Sequence, residues 1–115
     1  MKRLLLILTS IIIVSSCSSS TDCQIPEDIT YTSDIKVIIE ENCYACHAPD
    51  VYKKKGGNVK LFEFEKLKKL SLNGVLMGSV NHEKGYIAMP YRKGTKIDKC
   101  ASDKLQKWID GGCKK

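Results

Sequence analysis

The sequence predicts a small all-α domain, and two observations carry that expectation. Apolar residues recur at helical spacing near both ends, as Ile35, Ile38 and Ile39 in one stretch and Leu105, Trp108 and Ile109 in another. Long loops punctuated by glycine lie between such stretches. Removing residues 1–16, which read as an export segment, leaves 99 of the 115 residues, enough for one domain. A domain of that length buries only about two-thirds of its unfolded surface. Its aromatic residues are few: two phenylalanines, one tryptophan and five tyrosines.

Taken in order, the chain begins with a basic start, Lys2 and Arg3, followed by an apolar stretch from Leu4 to Val14. That stretch is too short for a bilayer span, which takes about 20 apolar residues, and has the proportions of a secretory signal. Val14-Ser15-Ser16-Cys17 resembles a bacterial lipobox, with valine where leucine is usual, so Cys17 is the expected lipidation site. Ordinary cleavage near Ser16, leaving a free Cys17, is the alternative. Residues 1–16 are therefore assigned to a lipoprotein signal peptide, 17–30 to the lipidated N-terminus and a tether, and 31–115 to the main domain, with folded structure expected to start near Cys23. The first helix is expected from about Asp34 to Asn42, capped by Ser33. Gly56-Gly57-Asn58 reads as a turn. Phe62 to Leu70 reads as a short amphipathic helix with Phe62, Leu67 and Leu70 on its apolar side, broken by Asn73-Gly74. Val75 to Val80 fits a short helix or an extended piece equally. Gly85 to Thr95 is loop, directed by Pro90. The last helix runs from about Lys99 to Asp110, capped by Asp98 or Ser102 and stopped by Gly111-Gly112.

The chemistry is concentrated in Cys43-Tyr44-Ala45-Cys46-His47. Two thiols three positions apart can each add to a vinyl group on one edge of a haem, and the histidine that follows can reach the iron. C-x-x-C-H is the signature of c-type haem attachment, with histidine as proximal ligand. Without the histidine, the pair would suggest a redox dithiol or half a zinc site. The cysteines at 17, 23, 100 and 113 offer no second close pair for zinc, and no βαβ pattern of the thioredoxin kind surrounds the motif.

From Tyr31 to Gly112 the layout resembles the class I monohaem cytochromes c. Nearer still, it is similar to small cytochrome lipoproteins and domains with a T-Y-x-x-D-I start, N-C-x-x-C-H, a G-Y-x-x-M-P loop and a final C-x(7)-W-I-D-x-G helix. Tyr31 to Ile35, Asn42 to His47, Gly85 to Pro90 and Cys100 to Gly112 carry the likeness. The resemblance implies a helical fold wrapped around one covalently bound haem c, with a C-terminal helix crossing the N-terminal one. It also implies a loop methionine as second axial ligand, here Met89. Its position 42 residues after His47, in a loop before proline, suits that role. Met77, inside an apolar stretch, reads as core filler. His82, in a polar loop, is the alternative distal ligand, since imidazole binds iron well; otherwise it is a solvated loop histidine.

Three cysteines remain. Cys100 and Cys113 lie at opposite ends of the last helix, roughly 20 Å apart, well beyond the ~7 Å limit for a disulfide. In an oxidising compartment Cys23 then bonds either Cys100 or Cys113; the resemblance favours Cys23–Cys100.

The net charge of +6 falls to +4 when Lys2 and Arg3 leave. Lysines cluster at 53–55, at 66, 68 and 69, and at 93, 96 and 99. Such clusters would steer redox partners with acidic docking surfaces, or simply solvate the surface. No nucleic-acid-binding motif is present. Histidine–methionine ligation leaves no open iron position, so the expectation is an electron carrier and not an enzyme, with weak peroxidase-type chemistry only at an open iron. A haem-based sensor or accessory haem-binding module is the alternative. The expected location is the cell envelope, lipid-anchored to a bacterial membrane; Ser18 after the lipid cysteine suggests sorting to an outer membrane, and the lack of an acidic run after Cys17 suggests facing the periplasm.

Overall fold

Helix formation begins earlier than the apolar spacing predicts, because the capping residue is Thr30 and not Ser33. The computed structural model describes residues 22–115, so the expected signal peptide and lipidation at Cys17 lie outside the described residues. The Thr30 hydroxyl accepts the Ser33 N–H at 3.2 Å, and the Asp34 carboxylate accepts the Thr30 N–H at 3.0 Å. This is a reciprocal cap in the manner of a capping box, one residue wider than usual. The extra residue fits the wide first turn, a π-helical segment over Tyr31–Ile35. It passes directly into α1, Lys36–His47.

Helix α1 therefore runs on past Asn42 and carries the whole C-x-x-C-H motif on its last turns. Tyr44 and Ala45 do not break a helix, so propagation continues to Ala48. There Pro49 pushes the preceding residue into extended backbone, with φ −70° and ψ 161°. As expected, Ile35, Ile38 and Ile39 are buried together. The chain then turns through residues 48–58, ending at Gly57 and Asn58 with φ of 58° and 63°.

Helix α2, Phe64–Leu72, begins two residues later than the sequence suggests. Leu67 and Ser71 are its buried residues, and the Ser71 hydroxyl is satisfied by the Leu67 carbonyl at 2.8 Å. Phe62 lies before the helix and packs edge-on against Tyr52, with ring centroids 5.4 Å apart. Gly74, with φ 80°, separates α2 from α3, Val75–Val80. The Val75–Val80 segment, which by sequence fits a short helix or an extended piece equally, is helical, and Met77 is core filler as expected. Residues 85–95 form a loop, and α4 spans Lys99–Asp110. Asp98 caps it by accepting the Ala101 N–H at 3.1 Å, while the Ser102 hydroxyl turns to Asn81.

Among the described residues the architecture is all-helical, and no helix is long and apolar enough to cross a membrane. The core gathers around a triangle of Tyr31, Phe64 and Trp108, with centroids 5.1 to 6.5 Å apart. Helix α4 meets the chain at the π-helical turn that starts the first helix. Its C-terminus closes as a Schellman motif: Gly112 N–H donates to Ile109, and Cys113 N–H to Trp108. Cys113 is consequently a buried side chain packed in the core, which accounts for its unpaired thiol.

Cys23 is disulfide-bonded to Cys100, with Cα atoms 5.5 Å apart. This bond and the buried Ile29 tie the segment before Tyr31 to α4 and the core. The bridge spans 77 positions, and closing a loop of that length is worth up to about 4.5 kcal/mol in unfolded-state entropy. The double variant Cys23→Ser/Cys100→Ser should lose 2 to about 4 kcal/mol in guanidinium unfolding. Loss of under about 0.5 kcal/mol would show that the link does not constrain the unfolded chain.

Candidate functional site

Cys43, Cys46 and His47 share the C-terminal end of α1, and their spacing of three and four places them on adjacent turns of one helix. Both thiols are unpaired and partly exposed. Burial pushes the Cys43 thiol up to about 11, so it is protonated at neutral pH. A thiol-exchange pair needs the opposite, a thiolate stabilised at or below neutral pH.

His47 is buried, at 8 % exposure. Its Nδ1 lies 3.1 Å from the Val59 carbonyl oxygen. A carbonyl only accepts, so Nδ1 carries the proton and Nε2 keeps its lone pair in the neutral ring. Among the described residues Nε2 has no hydrogen-bond partner, and no buried side-chain nitrogen or oxygen lacks one. The free lone pair therefore opens onto the surface. This is how protein metal ligands are usually oriented, with the far nitrogen held by a backbone carbonyl.

The loop that brings Val59 to His47 depends on Gly56. A Cβ there would collide with the Cys46 carbonyl oxygen and stand 2.8 Å from His47 Nδ1. Backbone and imidazole are thus in direct contact at a position where only hydrogen fits. Neither Gly56 nor Val59 was expected in the site. The Gly-Gly pair announces a turn, but nothing in the sequence says what the turn packs on.

Met89 lies in the loop after α3 and is half-buried. Its N–H donates to the Ser79 carbonyl at 2.9 Å, and its own carbonyl accepts from His82 Nε2 at 3.0 Å. Tyr86 lies flat on Gly78, where an added Cβ would stand 2.5 to 2.6 Å from its ring. Ile87 and Tyr91 are exposed. The structure thus pairs His82 with the Met89 backbone and commits the Nε2 nitrogen there. Cys23 and Cys100 are bonded to each other, and Cys113 is apart from both groups, in the core. Lys53, Lys54 and Lys55 are exposed, as are Lys66 and Lys69, and Lys93, Lys96 and Lys99; Lys68 is half-buried.

No family model, curated protein or solved structure matches this chain. Its function has to be argued from the donors themselves. Two unpaired thiols on the same helix end as an imidazole with one oriented lone pair fit the attachment edge and proximal side of a haem. Among the described residues no three His, Cys, Asp or Glu side chains converge on one point. A haem does not require that, since its porphyrin brings four iron donors of its own.

Proposed function

We propose that this chain is a c-type cytochrome of the cell envelope that carries single electrons between redox partners. In this reading Cys43 and Cys46 hold one haem through thioether bonds, His47 is the proximal iron ligand and Met89 the distal one. The observation that carries it is the His47 imidazole, fixed by the Val59 carbonyl with Nε2 free, on the same helix end as two unpaired thiols. When bound, the haem supplies a one-electron iron couple.

The chain's own residues do the rest. The Val59 carbonyl fixes the tautomer and plane of His47, and raises its basicity as a ligand. Gly56 lets the backbone close behind that ring. Burial keeps the Cys43 thiol protonated and out of disulfide exchange until it is used. Two protein ligands leave no iron position for oxygen or peroxide, which favours electron transfer over catalysis. The exposed lysine clusters would meet partners with acidic surfaces, with an association rate that falls as salt rises. A lipid on Cys17 would hold the domain at a bacterial membrane, facing the periplasm.

The test is the full chain expressed with a cytochrome c maturation system. Denaturing gels should show haem retained on the polypeptide, and lost in Cys43→Ala/Cys46→Ala. The oxidised spectrum should show the weak long-wavelength methionine–iron band, absent in Met89→Ala. A chain that matures without covalent haem would sink the proposal.

A further inference from the structure

We propose that His82 is a positioning residue that holds the Met89 loop in place through the Met89 backbone. The loop has little else to fix it. Ile87 is 64 % exposed and Tyr91 58 %, and residues 85–95 belong to neither helix nor strand. What ties it down is concentrated on α3 and the turn after it. Tyr86 lies against Gly78, Met89 N–H donates to the Ser79 carbonyl, and His82 Nε2 bonds the Met89 carbonyl. Both backbone polar groups of Met89 are thus engaged, and the second bond is the imidazole's.

His82 takes a costly backbone conformation to reach it. Its φ is 57°, the left-handed region that a residue with a Cβ adopts reluctantly. The ring reaches forward seven positions in sequence to Met89. Because a carbonyl only accepts, Nε2 bears the hydrogen, and the nitrogen most able to reach out to iron is engaged elsewhere. With the Met89 backbone held on both sides, only side-chain rotation remains to be ordered when the thioether ligates. A loop already in place loses less entropy on binding than a free one. The effect on the iron rests on the cytochrome reading; the effect on the loop does not.

Two substitutions separate this role from others. His82→Gln puts an amide nitrogen the same number of bonds from Cα as Nε2, keeps the donor and supplies no iron ligand. His82→Asn tolerates the left-handed backbone but is one bond too short. Amide exchange at Met89, measured by NMR on the full chain with or without haem, should quicken about three- to tenfold in His82→Asn, the worth of one hydrogen bond. In His82→Gln it should stay near wild type. In the haem-loaded protein, added imidazole should displace the methionine about three- to tenfold more readily in His82→Asn, and about as in wild type in His82→Gln. Equal exchange in all three proteins would overturn the proposal. So would loss of the iron's sixth ligand in His82→Gln, since His82 would then be the ligand itself. If no haem is taken up, the cytochrome reading fails, while the exchange rates still decide the role of His82.

Discussion

Gly56→Ala is expected to destabilise the protein by about 3 kcal/mol or more and to disturb His47 directly. The added methyl would meet the Cys46 carbonyl and the His47 ring from one side and the Tyr52 carbonyl, 3.1 Å away, from another. None of these is the far end of a flexible side chain. Gly56 N–H donates to Tyr52 at 3.0 Å, and Val59 N–H donates to Gly56 at 2.9 Å, so the loop cannot move at Gly56 without moving Val59. Overpacking of this kind costs about 1–3 kcal/mol. Losing the Val59 carbonyl from a buried imidazole adds about 1–3 kcal/mol. Gly57→Ala is the control. Its neighbourhood is open, and only its φ of 58° is strained by a side chain, which costs about 1 kcal/mol. Guanidinium unfolding of both variants, with covalent haem yield as the second readout, tests the assignment. Haem yield should collapse in Gly56→Ala and survive in Gly57→Ala. Equal losses would mean that the contact between Gly56 and His47 has no consequence for the site.

Local signals made some elements legible and left others obscure. Helix α4 has the bounds its sequence suggests because both ends are set within a few residues: Asp98 caps the start, and Gly111-Gly112 permits the Schellman stop. The first helix is different. Its reciprocal cap spans five residues, and the remaining N–H groups of Tyr31 and Thr32 donate to the carbonyls of Lys114 and Lys115, over eighty positions away. No local pattern records that partnership. Helix α3 has six residues, too few for periodicity to separate helix from strand. The site divides the same way. Cys43, Cys46 and His47 are legible because one helix end carries all three. The Val59 carbonyl is not, because every residue has a carbonyl and only the fold decides which one faces an imidazole. His82 could be singled out by residue type, but its bond to Met89 depends on a left-handed backbone that histidine does not announce.

Trp108→Ala should have the largest effect on stability, about 4–5 kcal/mol, enough to leave little of a small domain's usual 5–15 kcal/mol. The side chain is fully buried, and emptying such a site costs about 3–5 kcal/mol. It also makes a second kind of link. Indole Nε1–H donates to the Lys114 carbonyl at 2.8 Å, and the same oxygen accepts the Tyr31 N–H at 2.9 Å. One carbonyl thus joins α4 to the first N–H group of the helix that ends in Cys43, Cys46 and His47. Trp108→Phe separates the two contributions. It keeps most of the packing against Tyr31 and Phe64 and loses the donor, which is worth about 1 kcal/mol; the Lys114 oxygen keeps Tyr31 as partner. Guanidinium midpoints should therefore fall in the order wild type, Trp108→Phe, Trp108→Ala, with the larger gap between the last two. If phenylalanine costs as much as alanine, the indole hydrogen bond and not the packing holds α4 to the first helix. The C-terminal strap would then govern how firmly the helix carrying the site is seated.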